Sequence, residues 1–354
     1  MNRIGGGMAV RHHSLLRGSL HGNGAVFGEI ENCYHSRTRL VLLSRWFAFA
    51  QRGVVSAGLT AAALGPVALA EPVPSVVAAN GILCDLVRVV AGAEVGVACL
   101  VPDGADPHDY RLTARDRSAI GSASVVLING YQLSPALERV GRLKRTVKVA
   151  EVAVPSSPAR DPHVWHNPLQ TAAMAAVVSD QLQGLVSARS ADVISARALR
   201  VREELAQLDR WTSRQFDTIP KTHRVVLTEH DALSSLAARY QVRYVPLMQS
   251  FASGGPLRPS SLGAIAKAAQ ASGTKYLFSE SQRPSKTLRR ISKVSGIPVY
   301  RPQYLVVDGV TSGGTYVSTF VANVCAVVTA QGGVCNRASG DALATQWKAL
   351  GLSQ

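Results

Sequence analysis

Beyond its first seventy residues the chain holds only five histidines, His108, His163, His166, His223 and His230, and that scarcity makes their placement informative. His108 lies in Asp106-Pro107-His108-Asp109-Tyr110, after the apolar, β-branched run Val95 to Val101. His230 lies in Thr228-Glu229-His230-Asp231, where a second such run, Val225 to Glu229, ends. Asp308 follows the extended stretch Val306-Val307, and His163 stands in the proline loop Asp161-Pro162-His163. Ligands of open α/β sheets bind outside the carboxyl ends of strands, so His108, His163, His230 and Asp308 form the candidate set. Three neutral imidazoles and one carboxylate suit a borderline-soft divalent cation, whereas calcium and magnesium favour all-oxygen shells. The intervals between the four are long, so only the fold can bring them together. His166 is a further candidate three residues past His163; His223 precedes a strand and is expected at the surface. There is no His-Glu-x-x-His and no recognisable nucleophile with its base, which weighs against the rival reading, an exported zinc-dependent hydrolase.

The elements that would carry these residues alternate. Val76 to Ala79, Val95 to Val101 and Val125 to Asn129 read as strands, with helices over Ile82 to Val90 and Thr113 to Ser122 between them. Thr113 with Asp116 three residues on is a capping-box pattern. Asn167-Pro168 opens another helix, as an N-cap followed by proline at the first helical position, and Gly184 stops it. From Ser190 to Asp217 there is neither glycine nor proline, and Ile194, Ala198, Val201, Leu205, Leu208 and Trp211 recur at spacings of three and four, which predicts a single helix about 42 Å long. Past Pro220 the alternation resumes: strand Val225 to Glu229, helix Asp231 to Tyr240, strand Val242 to Met248, helix Ser260 to Ala271, strand Lys275 to Glu280, helix Ser285 to Ser295, and a final helix, Tyr316 to Ala330. The fold class expected is α/β: two lobes with mostly parallel sheets flanked by helices, joined by one long rigid helix. The expected divisions are a leader over 1–70, an N-terminal metal-binding lobe over 71–189, the linking helix over 190–218 and a C-terminal metal-binding lobe over 219–354.

With these segments in order the chain resembles the zinc/manganese solute-binding proteins of ABC transporters. The first signature resembles Val101-Pro102-Asp103-Gly104-Ala105-Asp106-Pro107-His108-Asp109-Tyr110, followed by the helix start at Thr113 and a strand ending in Asn129-Gly130. The second resembles Asp161 to Pro168, the third His230-Asp231-Ala232-Leu233, and the fourth Val307-Asp308-Gly309 with Thr315-Tyr316 and Asn323 downstream. The resemblance spans residues 73 to 330. It implies a receptor, not an enzyme, whose ligands fall on His108, His163, His230 and Asp308, with His166 rarely used. It also implies that Glu280 points toward the same cleft and orients a ligand from outside the coordination shell. Because histidine at the third position is the habit of the family's zinc members, and glutamate that of its manganese members, His230 favours Zn2+ over the alternative, Mn2+. The implied partner is an ABC transporter permease in the inner membrane, met by a monomeric receptor. Two departures stand out. Residues 131–160 contain no histidine where many zinc members carry a His-rich loop, and Leu233 and Leu236 replace a usual aromatic pair.

Composition agrees with an exported globular protein. The chain has 354 residues, 47% of them hydrophobic, enough for a sizeable core. A stretch bearing Arg45 and Arg52 precedes an apolar run from Val54 to Val67 that ends in Ala68-Leu69-Ala70, the pattern of a signal peptide cleaved near Ala70 for delivery to the periplasm. That run is shorter than the roughly 20 residues a bilayer span needs, so no membrane span is expected. Residues 71–354 hold 31 Lys and Arg against 21 Asp and Glu. The basic excess reads as dispersed, with no basic tract interleaved with aromatics, so nucleic-acid binding is not expected. Cys84, Cys99, Cys325 and Cys335 remain for an oxidising compartment. Of the three possible connectivities, Cys84 with Cys99 and Cys325 with Cys335 is favoured, because each pair brackets one short segment.

Overall fold

The computed structural model describes residues 73–140, 145–248, 250 and 259–352. The expected signal peptide and its cleavage point lie outside them. Strand β1 (Ser75–Ala78) is followed by helix α1 (Gly81–Ala91), β2 (Gly96–Cys99), α2 (Ala114–Ser122), β3 (Val125–Ile128), α3 (Pro135–Val140), β4 (Thr146–Lys148) and α4 (Val149–Ala153). The four strands form one parallel sheet in the order β2-β1-β3-β4, with Val77 opposite both Ala98 and Val126, and Leu127 opposite Val147. Every residue of β3 is buried, as parallel sheets covered by helices require. Asn80 caps α1 by accepting from Leu83 N at 3.0 Å, and all of α1 except Arg88 is buried.

Helix α5 (Pro168–Gln183) starts at the Asn167 cap as expected, and α6 (Ala188–Asp217) runs unbroken for 30 residues, about 45 Å at the usual rise. Ile194, Val201, Leu205, Leu208 and Trp211 form its buried stripe, and α6 packs along α5 and against α1.

After α6 the sheet is more ragged. Strand β5 (Val225–Val226), helix α7 (Ser234–Tyr240) and strand β6 (Arg243–Tyr244) lead to α8 (Pro259–Ser272) and α9 (Lys286–Ser295). β5 and β6 pair in parallel, Val226 opposite Tyr244, and a single parallel bridge joins Leu277 to Val299. The expected strands Val242 to Met248 and Lys275 to Glu280 are therefore much shorter or irregular. The chain nevertheless runs extended there, because Leu247 N donates to Thr228 O and Phe278 N to Leu227 O. Pro246, Pro298 and Pro302 have no N–H for a ladder, which breaks regular pairing.

Helix α10 (Tyr316–Ala330) lies where the periodicity put it, but α11 (Arg337–Leu352) follows it, an element the sequence pattern did not reveal. It packs across α1, α6 and α10. Trp347 is fully buried there, and Gly340 sits where an added Cβ would come within 2.7 Å of the Trp211 ring. Disulfides join Cys84 to Cys99 and Cys325 to Cys335, with Cα separations of 5.8 and 5.3 Å. No helix among the described residues is long and apolar enough to cross a membrane.

Candidate metal centre

His108 sits in the loop between β2 and α2, and local hydrogen bonds fix that loop. Tyr110 donates its hydroxyl to Leu100 O and to Asp116 Oδ2, while Asp116 and Thr113 form the capping box that begins α2. Asp106 Oδ1 accepts from His108 N at 2.8 Å, and Asp161 Oδ1 accepts from His163 N at 2.9 Å. Each Asp-Pro-His is thus an Asx-turn, in which an aspartate binds the backbone two residues on and the proline fixes the bend between. Asn129, just past β3, donates to Pro162 O and holds the second turn against the sheet.

His230 ends the extended run after β5. Its carbonyl accepts from the Tyr244 hydroxyl at 2.8 Å, and that hydroxyl also accepts from Ala232 N. Leu233 and Leu236, the residues replacing an aromatic pair, are buried in the core. Asp308 follows the segment that ends at Val307, whose carbonyl accepts from Trp165 Nε1 at 3.1 Å and from His166 Nε2 at 2.8 Å. His166 therefore faces away from the cluster and serves as a clamp on the loop bearing Asp308. Burial first, and then the neighbouring His163, push its pKa down to about 4, so it is neutral. His223 is half-buried in the otherwise exposed turn Lys221–His223, outside the cluster.

These anchors bring His108, His163, His230 and Asp308 together, with one ligand atom from each lying within 4.8 Å of every other. Asp308 Oδ1 is 3.4, 3.2 and 3.3 Å from Nε2 of His108, His163 and His230, and the first two imidazole nitrogens are 3.2 Å apart. A tetrahedron with ligand atoms about 2.0–2.1 Å from its centre has edges of about 3.3–3.4 Å, so these separations match one divalent ion's shell. His163 and His230 are 0% exposed. His230 Nε2 and Asp308 Oδ1 make no hydrogen bond of acceptable geometry despite being buried, a condition that costs about 1–3 kcal/mol per group unless a ligand satisfies it.

Carboxylates behind the imidazoles fix their tautomers. Glu280 Oε2 accepts from His230 Nδ1 at 2.6 Å, and its Oε1 accepts from the backbone N–H of Glu229 and His230. Asp161 Oδ1 accepts from His163 Nδ1 at 3.0 Å. With Nδ1 protonated, each ring turns its Nε2 lone pair toward the cluster. The Asp161 role escaped the sequence reading, although the repeated Asp-Pro-His was its signal. Burial disfavours charge on His230, but Asp308 and Glu280 outweigh it and push the pKa up to about 11. Burial also works against charge on His163, and Asp161 and Asp308 overcome it to raise that pKa. For Asp308, burial favours the neutral acid, yet the three imidazoles hold it well below the usual carboxylate range. The cluster is thus a strongly cation-attracting pocket in which a metal competes with protons. It opens beside a cavity of about 410 Å3 whose wall includes Asp106, Asp109, Glu229, Glu280 and Asp308.

A family model described as zinc-uptake complex component A, periplasmic, matches residues 76–330. The zinc-binding protein TroA of Treponema pallidum is 27% identical over 280 residues, 74% of this chain and 90% of that protein. The solved structure of TroA aligns with a TM-score of 0.67 at 24% identity, over 73% of this chain and 99% of that one. The manganese-binding lipoprotein MntA of Bacillus subtilis is 30% identical over 180 residues, 47% of this chain and 57% of MntA, so the chain spans little more than half of that relative. The iron ABC transporter substrate-binding lipoprotein MtsA of Streptococcus pyogenes is 25% identical over 244 residues, 64% of this chain and 77% of MtsA. Matched from β1 to the end of α10, the chain belongs to the periplasmic zinc-uptake component A family of metal-binding solute-binding proteins, whose members are receptors and not enzymes.

Proposed function

We propose that this protein captures one divalent transition-metal ion, zinc before manganese, through His108, His163, His230 and Asp308, and delivers it in the periplasm to an ABC importer in the inner membrane. The observation that carries this reading is the convergence of three imidazole nitrogens on one buried carboxylate oxygen at 3.2 to 3.4 Å. In the proposed division, His108 and His163 belong to an N-terminal lobe, 71–189, and His230 and Asp308 to a C-terminal lobe, 219–354. Neither lobe alone holds all four ligands. Four protein ligands leave no open position for an activated water, which suits storage and transfer and disfavours the hydrolase. Nitrogen-rich donors favour zinc, since manganese prefers oxygen; the manganese reading rests on the name of MntA. The stiff α6 opposes wide hinge motion, so loading is expected to reorder the loop around Asp308 rather than swing the lobes, and the receptor acts as a monomer.

Calorimetric titration of the purified protein tests this. One equivalent of zinc is expected to bind ahead of manganese and to release protons at pH 7, among them the one held by His230, because metal and proton compete for Nε2. Affinity should fall with falling pH by roughly tenfold per pH unit for each proton displaced, and the His230 contribution should persist as pH rises toward about 11. A titration without saturable uptake of either metal, or with no proton release, would remove this assignment.

A further inference from the structure

Read along the sequence the basic excess looks dispersed; counted by region, it is not. Residues 71–354 hold 31 basic and 21 acidic side chains, and residues 232–307 contribute 11 of the basic ones and a single acid, Glu280. The rest of that stretch is balanced at 20 of each, so the entire surplus sits in one segment of the C-terminal half. Its one carboxylate is turned inward, onto His230 Nδ1 and two backbone N–H groups. Every basic residue of this segment that lies among the described residues is exposed, and of these only Arg239 has a carboxylate partner, Asp209.

The densest part is α9. Lys286, Arg289, Arg290 and Lys293 fall at positions i, i+3, i+4 and i+7, within about 100° of the helix circumference. Leu288 and Ile291, fully buried, hold the opposite side in the core. Arg283 and Arg301 are exposed on loops beside the N-terminal end of α9, where Arg301 shares a pocket with Gln282 and Pro284, and extend the stripe at that end. This surface adjoins the metal centre: Ser285, the N-cap of α9, lines the 410 Å3 cavity together with Tyr304 and the carboxylates Asp106, Asp109 and Glu229. A basic helix face and an acidic mouth therefore lie side by side.

We infer that the exposed face of α9, with Arg283 and Arg301, is the docking surface for a carboxylate-bearing face of the membrane importer, seated where the metal leaves. This rests on the receptor reading above. Opposite charges side by side specify a partner with the reverse pair, which a folded protein surface can present. A uniformly anionic lipid surface would meet repulsion at the acidic mouth. A partner seated on α9 bears on Ser285 and so on the wall next to Glu280 and His230, a direct route from docking to release.

The test uses the full protein with the Lys286→Glu, Arg290→Glu, Lys293→Glu triple variant, and a glutamine version of the same three positions as a check against misfolding. Binding is measured to the cognate permease in phosphatidylcholine nanodiscs and, separately, to phosphatidylglycerol vesicles, with zinc affinity measured in parallel. Zinc affinity is expected to be unchanged, while permease binding weakens by about tenfold or more for the glutamate variant, less for the glutamine one, and falls with added salt in the parent. Equal permease binding by parent and both variants would overturn the proposal. Loss of vesicle binding with permease binding intact would overturn it in favour of lipid. A parent that binds neither zinc nor manganese yet docks through this face would sink the receptor reading and uphold the docking surface.

Discussion

Asp308→Asn is expected to lower zinc affinity by more than the roughly 10–100-fold that loss of an outer partner costs a metal site, while leaving the protein folded. The reasoning is electrostatic as well as geometric. Asp308 Oδ1 is the one anionic atom that faces Nε2 of all three imidazoles, at 3.2 to 3.4 Å. Asparagine has the same shape but no charge, so the ion would lose its only anionic ligand in a buried pocket where charges are weakly screened. The loop should keep its place, because Trp165 and His166 hold the carbonyl of Val307 and not the Asp308 side chain. Asp109→Asn is the matched control: Asp109 lines the same cavity and is exposed, so it contributes general potential but no ligand and should change affinity only a few-fold. Isothermal titration of both variants against zinc separates the two. Equal, small losses would mean that the cavity's overall charge, and no specific ligand, governs uptake.

The second large effect concerns folding. Asp85, 6% exposed on α1, accepts with Oδ2 from Tyr316 N and from Trp347 Nε1, both at 2.7 Å, and so ties α1 to α10 and α11. Alanine at this position would leave two buried donors without acceptors, each costing about 1–3 kcal/mol, so Asp85→Ala is expected to destabilise by about 2–6 kcal/mol. Asparagine can still accept both bonds. Burial pushes the Asp85 pKa up from 3.8 to about 6, against the opposing effect of those two hydrogen bonds. For an acid raised on folding, the stabilisation is fully present below the unfolded pKa and is lost as pH rises through the folded one. Ionisation of Asp85 should therefore remove about 2–3 kcal/mol between pH 4 and pH 7. Urea denaturation across this range, with chelator present, should show that slope as the difference between the parent and Asp85→Asn, with the variant the more stable above pH 7. Parallel pH profiles for the two proteins would contradict this account of the buried carboxyl.

What the sequence made legible follows from how local each signal was. The candidate cluster could be named because strand ends are written locally, as apolar runs stopping at His230 and Asp308, and because histidines are few. The helices α5 and α6 were equally plain, since Asn167-Pro168 and an uninterrupted stripe from Ile194 to Trp211 mark them directly. The helix α11 was not. Its stability comes from Trp211, Asp85 and α10, residues distant in the chain, while Gly340 weakens its own helical signal even as it permits the close approach to Trp211. The raggedness around β5 and β6 was overlooked for a related reason. Valine and leucine there promise strands, yet three prolines deny them a regular ladder. Around the candidate metal centre, the work of Asp161 and Tyr244 and the turn of buried His166 onto the Val307 carbonyl depend on hydrogen bonds across the fold, which spacing alone does not encode.

The central claim is that one ion is held jointly by residues from both halves of the chain. Anomalous diffraction at the zinc edge from crystals of the zinc-loaded protein tests it most directly. The account predicts a single strong peak about 2.0–2.2 Å from Nε2 of His108, His163 and His230 and from a carboxylate oxygen of Asp308. A peak held by any other residues, or by histidines of one half alone, would contradict it.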